Sequence, residues 1–252
     1  MYQRGFLFDV VRNHTRNDQH CDLKIICGDD VFNVHRFILY FQSDFFAKLH
    51  EGRTSESQKQ EITLDEPSVL IDQMIKFFYE GAYAPHLEKP ALARWMNERA
   101  QSQAVSGGKV LPGKRIVDPT STDPRITTAI FHIAMYGLGL RYSIAGLKEE
   151  AKDATVACLK ELSTLEILEH CVPEVYSSIS SSSGDDSEFR KAVTGVMMDK
   201  LVYQSPKEEK ARISSVNEAM VDGFPLYEKD LEARVLDREN KITEMRAEVG
   251  FS

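Results

Sequence analysis

The stretch VFNVHRFILYFQSDFF, residues 31–46, changes character in its middle. Val31, Asn33 and His35 alternate with Phe32 and Val34, the two-residue period of a strand. After His35 the apolar positions move to Phe37, Ile38 and Phe41, then Phe45, Phe46 and Leu49, which is helical spacing. His35 therefore stands at a strand-to-helix junction, where it is either a chemical group in a site or a structural hinge. Ser43 and Asp44 offer a cap between two short helices.

Upstream, DLKIIC (22–27) and the turn residues GDD (28–30) complete a β-hairpin with VFNVH. Downstream of a polar stretch at 51–60, EITLDE (61–66) is expected as a short strand with Ile62 and Leu64 facing one way. Asp65 and Glu66 stand before Pro67 in the manner of a helix start. Leu70, Met74, Phe77 and Phe78 then form one apolar stripe that Gly81 ends. Residues 84–124 are rich in Pro, Gly, Ser and mixed charge, as an insertion or flexible loop would be, and only PALARWMNERAQ within them suits a helix.

Helical pattern resumes at RITTAIFHIAMYGLGLRY, with Ile126, Ile130, Ile133 or Ala134, and Leu138 on one face. A second helix carries Leu147, Ala151, Ala154, Cys158 and Leu162, and a third, TLEILEHCVPEVYSSI, is ended or kinked by Pro173. The serine-rich linker SSISSSSGDD (177–186) precedes a helix striped by Phe189, Val193, Val196 or Met197, and Leu201. The segment 225–249 is charged, with a thin seam of Leu231, Val235, Ile242, Met245 and Val249. Its Asp230/Arg234 and Asp237/Lys241 spacings suit supporting ion pairs. That seam either binds a partner helix or packs back on the domain.

A chain of 252 residues that is 42% hydrophobic has room for one core with additions. Its 31 basic and 39 acidic residues give a net charge of -8, which argues against direct nucleic-acid binding. The apolar patch from Phe6 to Val11 is interrupted by Asp9 and is too short for a signal peptide, and no run approaches the ~18 apolar residues of a membrane span. A soluble intracellular protein, cytoplasmic or nuclear or both, is the expectation. Cys21, Cys27, Cys158 and Cys171 form no CxxC pair, and the group Cys21, His20 and His14 lacks the paired spacing of a zinc motif, so no metal is expected.

GKVLPGKR (108–115) satisfies G-x-x-x-x-G-K, but Arg115 occupies the position of the hydroxyl that would hold magnesium. Pro112 also removes an N–H that such a loop aims at phosphate. A nucleotide-binding enzyme built on this loop is the alternative of another class. There is no G-x-S-x-G or H-E-x-x-H sequence, and the acidic runs Glu149–Glu150 and Asp185–Asp186 are expected on wet surface. No catalytic residue and no cofactor follow from the sequence.

Taken in order, the elements form a pattern: Asp22 opening a strand, His35 followed by Arg36 and Leu39, Ser43 to Phe46, the strand Ile62 to Leu64, and Tyr79-x-Gly81. MYGLGLRYSIAGLKEEA continues it with Tyr142, Ile144, Gly146 and Leu147. The pattern resembles the BTB/POZ domain over about residues 6–170, interrupted by 84–124. With neither Kelch repeats nor zinc fingers in view, the chain is most similar to the short BTB proteins abundant in fungi.

The resemblance implies an α+β fold, a small mixed sheet flanked by a helical cluster, occupying 1–172, with 173–252 as a helical C-terminal extension. It makes His35, Leu39, Phe45, Phe46, Tyr79 and Gly81 marks of the fold. It also implies a non-catalytic protein-binding module that forms homodimers through an N-terminal helix, here Phe6, Leu7, Val10 and Val11, with Asp22 and Arg36 in a charged pocket. Some members bind a cullin as adaptors of ubiquitin ligases through a loop that aligns with Thr54 and Glu56. Thr54 stands there where an apolar residue is usual. The partners implied are a second copy and other proteins, with no membrane or nucleic acid.

Overall fold

The computed structural model describes residues 21–51, 61–105, 123–178, 186–203 and 210–249. The chain divides into two compact units, one comprising Met1–Gly108 with Ala134–Asp153 and the other Lys109–Ile133 with Ala154–Ser252.

In the first unit, strands β1 (Leu23–Cys27) and β2 (Asp30–Val34) pair antiparallel, with Leu23 opposite Val34 and Cys27 opposite Asp30. Gly28 makes the turn at φ 58°, a conformation that glycine adopts without steric cost. After helices α1 (Arg36–Gln42) and α2 (Asp44–Glu51), β3 (Glu61–Thr63) returns parallel to β1, giving the mixed order β2-β1-β3. This sheet and the helices around it make an α+β fold, followed by a helical C-terminal extension.

Helix α3 (Ser68–Glu80) buries Leu70, Met74, Phe77 and Phe78, as its stripe predicts. It ends at Gly81, whose φ of 73° lets its N–H reach the Phe77 carbonyl at 2.8 Å. Pro67 starts the helix without a side-chain cap. Glu66 turns elsewhere, to the Arg141 guanidinium and the Tyr142 hydroxyl. The helix allowed within 84–124 forms as α4 (Lys89–Val105). Trp95 and Met96 are buried, and Arg94 joins both Asp30 on β2 and Glu98. Residues 106–122, including the Gly-Lys loop, lie outside the described part.

Helices α5 (Pro124–Arg141) and α6 (Ala145–Glu161) contribute residues to both units. Burial on α5 exceeds one stripe: Ala129, Phe131, Met135 and Tyr136 are buried along with Ile126, Ile130, Ile133 and Leu138. That is the mark of a helix enclosed on most sides. On α6 the buried row runs Leu147, Ala151, Thr155, Leu159, at steps of four, while Ala154 and Cys158 are only half-buried. The expected 3-and-4 stepping through Ala154 and Cys158 is therefore displaced by one position. The longer Leu159 takes the place inside, where it has more apolar surface to remove from water. Glu150 is not on wet surface either: it is half-buried, near the Tyr83 N–H at 3.4 Å, and burial pushes its carboxyl upward in pKa.

In the second unit, Ser163 and Glu166 form a reciprocal cap at α7 (Thr164–Glu166), which continues through a π-helical turn (Ile167–Cys171) into α8 (Val172–Ser178). Pro173 neither ends the run nor breaks it. The turn just before it shifts to wider hydrogen bonds, Val172 N–H reaching Ile167, as a π-bulge absorbs a missing donor. Phe189, Val193 and Met197 of α9 (Asp186–Tyr203) are buried as expected. Helices α10 (Lys210–Gly223) and α11 (Pro225–Val249) follow, with Phe224 and Tyr227 buried at their junction.

The first half of α11 contacts both α9 and α10. Asp230 does not pair with Arg234. It accepts from Arg190 Nε at 2.9 Å and from the hydroxyl of half-buried Tyr176 at 2.7 Å, with Arg190 and Asp230 both well removed from water. A shielded carboxylate takes the charged donor that is shielded with it. Arg234 instead lies over Gly195 of α9, where an added Cβ would stand 3.4 Å from its guanidinium, and reaches Asp237. The Asp237/Lys241 pair forms at 3.0 Å.

Candidate functional site

His35 sits between β2 and α1 at φ -99°, ψ 119°, the extended backbone of a residue that precedes a helix. Its backbone N–H donates to the Tyr79 hydroxyl at 2.9 Å, and its Nδ1 lies 2.9 Å from the same oxygen. One phenol thus serves both a main-chain donor and a ring nitrogen, tying the hairpin to α3. The ring nitrogen meets a side-chain hydroxyl, so the structural reading of His35 rests on a side chain of another element. Burial pushes the Tyr79 phenol up to about 12, so it holds its proton across the physiological range. The geometry is that of a hinge pin: Tyr79 is buried, and its one oxygen is shared between two atoms of a single residue.

Since His35 supplies no side-chain cap, the start of α1 is satisfied from across the hairpin. Asp22 Oδ1 accepts from the Arg36 N–H at 2.8 Å, and Arg36 Nε donates to the Asp22 carbonyl at 3.0 Å. The acidic and basic residues expected in one pocket are therefore in direct contact. A carboxylate at a helix N-terminus also suits the positive end of the helix dipole.

The next joint is built by Ser43. Buried between α1 and α2, its hydroxyl donates to the Tyr142 carbonyl at 2.6 Å and accepts from the Phe46 N–H at 3.2 Å. Phe46 is fully buried, stacked on the Tyr142 ring at 5.7 Å and edge-on to Phe78 at 6.1 Å, while half-buried Phe45 meets Tyr142 edge-on at 5.0 Å. Leu39 fills the inner side of α1. Cys27, whose thiol donates to the Glu66 carbonyl, is pushed up to about 11 by burial and the nearby Glu98 carboxylate, and is thus a thiol and no nucleophile.

The outer side of α1 departs from expectation. Phe37 and Phe41, placed on the helix's inward stripe by their spacing, are 70% and 77% exposed, with ring centroids 4.5 Å apart. Five consecutive apolar or aromatic residues, Phe37 to Phe41, leave spacing unable to choose a face, and Leu39 takes the core. The outcome is an aromatic pair in water that begins directly after Arg36.

Phe6, Leu7, Val10 and Val11, and Thr54 and Glu56, lie outside the described residues, as do His14 and His20. Among the described residues no group of three or more His, Cys, Asp or Glu side chains is placed to hold a metal, and no helix is long and apolar enough to cross a membrane.

Comparison with known proteins follows the same elements. Residues 11–93 match the BTB/POZ domain model. Over 76 residues the chain is 32% identical to Kelch-like protein 5 of Homo sapiens and 30% identical to Kelch-like protein 1 of Mus musculus. Each match covers 29% of this chain and 10% of the relative, so the chain aligns with about a tenth of the length of these proteins. The hairpin, the Asp22–Arg36 contact and the His35–Tyr79 pin fall inside the matched span, while the Ser43 joint reaches beyond it to Tyr142. The chain thus carries a BTB/POZ domain, a module of protein–protein interaction, at residues 11–93.

Proposed function

We propose that this protein is a non-catalytic interaction module that self-associates through the outer face of α1. The observation that carries the reading is the pair Phe37 and Phe41, held in water beside the Asp22–Arg36 contact. Fully burying a phenylalanine is worth roughly 1.5–3 kcal/mol, so two such rings on one short helix favour a partner surface. In this reading Phe6, Leu7, Val10 and Val11 of each chain join the same interface. The domain extends over 1–172, with 173–252 as an appended helical module inside the cell.

Light scattering at micromolar concentration tests it: the wild-type chain has the mass of two copies, and Phe37→Asp/Phe41→Asp has the mass of one. A monomeric wild type, or a variant that stays dimeric, overturns the reading. Phe6→Asp checks the contribution of the N-terminal segment in the same measurement.

Similarity to Kelch-like proteins favours a second reading, that of a cullin-linked adaptor with Thr54 and Glu56 at the contact. Crosslinked purification from native cells separates the two. A cullin in near-stoichiometric yield makes the protein an adaptor; recovery of the protein itself without a cullin leaves it a scaffold.

A further inference from the structure

We infer that α10 and α11 form a docking groove for an amphipathic helix whose apolar anchors are flanked by lysine or arginine. A cavity of about 420 Å³ opens between the end of α10 and the middle of α11, with Val221, Leu231, Val235 and Leu236 as its apolar floor. Val235 and Leu236 are 42% and 58% exposed, and the apolar surface continues along α11 to Ile242 and Met245, 44% and 56% exposed. The helix has already buried Tyr227 and committed Asp230, Arg234 and Arg238 to ion pairs within the unit. The exposed apolar row is surface left over after α11 has docked.

The chemistry of the rim selects the occupant. Glu228, Glu232 and Glu239 border the floor, spaced four and seven residues apart so that they stand in a row along one side of α11. No ion pair engages any of the three among the described residues, although their neighbours on α11 are paired. No basic residue lines the groove. An apolar floor with i, i+4 steps, bordered by an unneutralised acidic row, complements a helix with anchors at similar spacing and cations beside them. A second copy laid in the same groove would bring the same acidic row with no cation from the groove to meet it.

The inference is independent of self-association through α1, and its test uses different residues. The probe is a fluorescein-labelled peptide of about 18 residues, some five helical turns, with leucines at i, i+3, i+4 and i+7 spacing flanked by lysines. A twin peptide carries glutamates in place of the lysines, and anisotropy is read against the full chain at physiological salt. The wild type binds the lysine peptide saturably and prefers it by about tenfold, a difference of roughly 1.4 kcal/mol. Glu228→Lys/Glu232→Lys/Glu239→Lys inverts the preference. Val235→Asp/Leu236→Asp weakens the lysine peptide about tenfold at an unchanged thermal midpoint, since both positions are exposed.

Absence of saturable binding overturns the inference. So does lysine-peptide binding that survives Val235→Asp/Leu236→Asp, which would be general attraction to a chain of net charge -8. A fall in the mass of the wild-type assembly on making Val235→Asp/Leu236→Asp would also overturn it, since a second copy would then cover the face.

Discussion

Helices α3 and α11 carry apolar residues at the same three- and four-residue steps, yet they end in opposite environments. On α3 the stripe widens to include Val69, Ile71 and Tyr79, and nearly every turn is buried. On α11 the stripe is thin, and beyond Leu231 its apolar members Val235, Leu236, Ile242 and Met245 face water. Spacing predicts a helix; the number of apolar residues per turn decides whether that helix enters a core. Past the buried Tyr227 the anchors of α11 are polar: Asp230 and Arg238 fasten it through ion pairs to Arg190 and Asp199 of α9, and the Arg234 guanidinium lies over Gly195.

Substitutions can break this contrast or sharpen it. The largest effect is expected at Phe46, fully buried against Tyr142 and Phe78: Phe46→Ala costs about 3–5 kcal/mol, read from urea denaturation. At the anchored end of α11, Arg190→Ala strands the shielded Asp230 and costs on the order of 3 kcal/mol. A loss below about 0.5 kcal/mol, the size of an ordinary surface change, would show that the ion pair does not hold the helix. Tyr79→Phe keeps the ring and removes the shared hydroxyl, leaving the His35 N–H without its acceptor, at about 1–3 kcal/mol.

Alkaline pH probes the same joint. Tyr79 and Cys27 have folded-state pKa values raised to about 12 and about 11, above their ordinary values of 10.0 and 9.0. Their contribution is therefore complete below about pH 9 and is lost as pH rises toward 11–12, where the unfolded chain gives up protons first. The urea midpoint should fall across that interval, and Cys27→Ala should make the fall shallower. The smallest effect belongs to the exposed half of α11: Ile242→Ala changes stability by less than about 0.5 kcal/mol, by the same titration. A loss above 2 kcal/mol there would mean that the row is covered.

Much of this contrast was legible in the sequence. The hairpin, the Gly81 stop, the α3 stripe and the α9 stripe rest on local chemistry, which periodicity and turn residues record directly. Asp22, His35 and Ser43 stand out as a pattern, and the resemblance sets Arg36 beside Asp22, but the partners of His35 and Ser43 do not stand out, since Tyr79 and Tyr142 lie 44 and 99 residues away from them. Where apolar residues crowd both sides of a short helix, as at Phe37–Phe41, the spacing cannot separate inside from outside. The same limit applies to charge: Asp230 and Arg234 are well spaced for each other, but a shielded arginine on another helix claims the aspartate. The floor of the groove combines residues from two helices, Val221 from one and the rest from the other, and only Leu231 and Val235 of it appear in the seam visible in sequence.

The cap that Asp22 provides to α1 has a consequence for the order in which the chain assembles. Helix α1 has seven residues, well below the length at which an isolated helix persists in water, and its capping carboxylate arrives only when β1 lies beside β2. The helix therefore cannot form early and wait for the sheet. Closing the hairpin and nucleating α1 are one event, and amide exchange at Arg36 should report the opening of the strand pair.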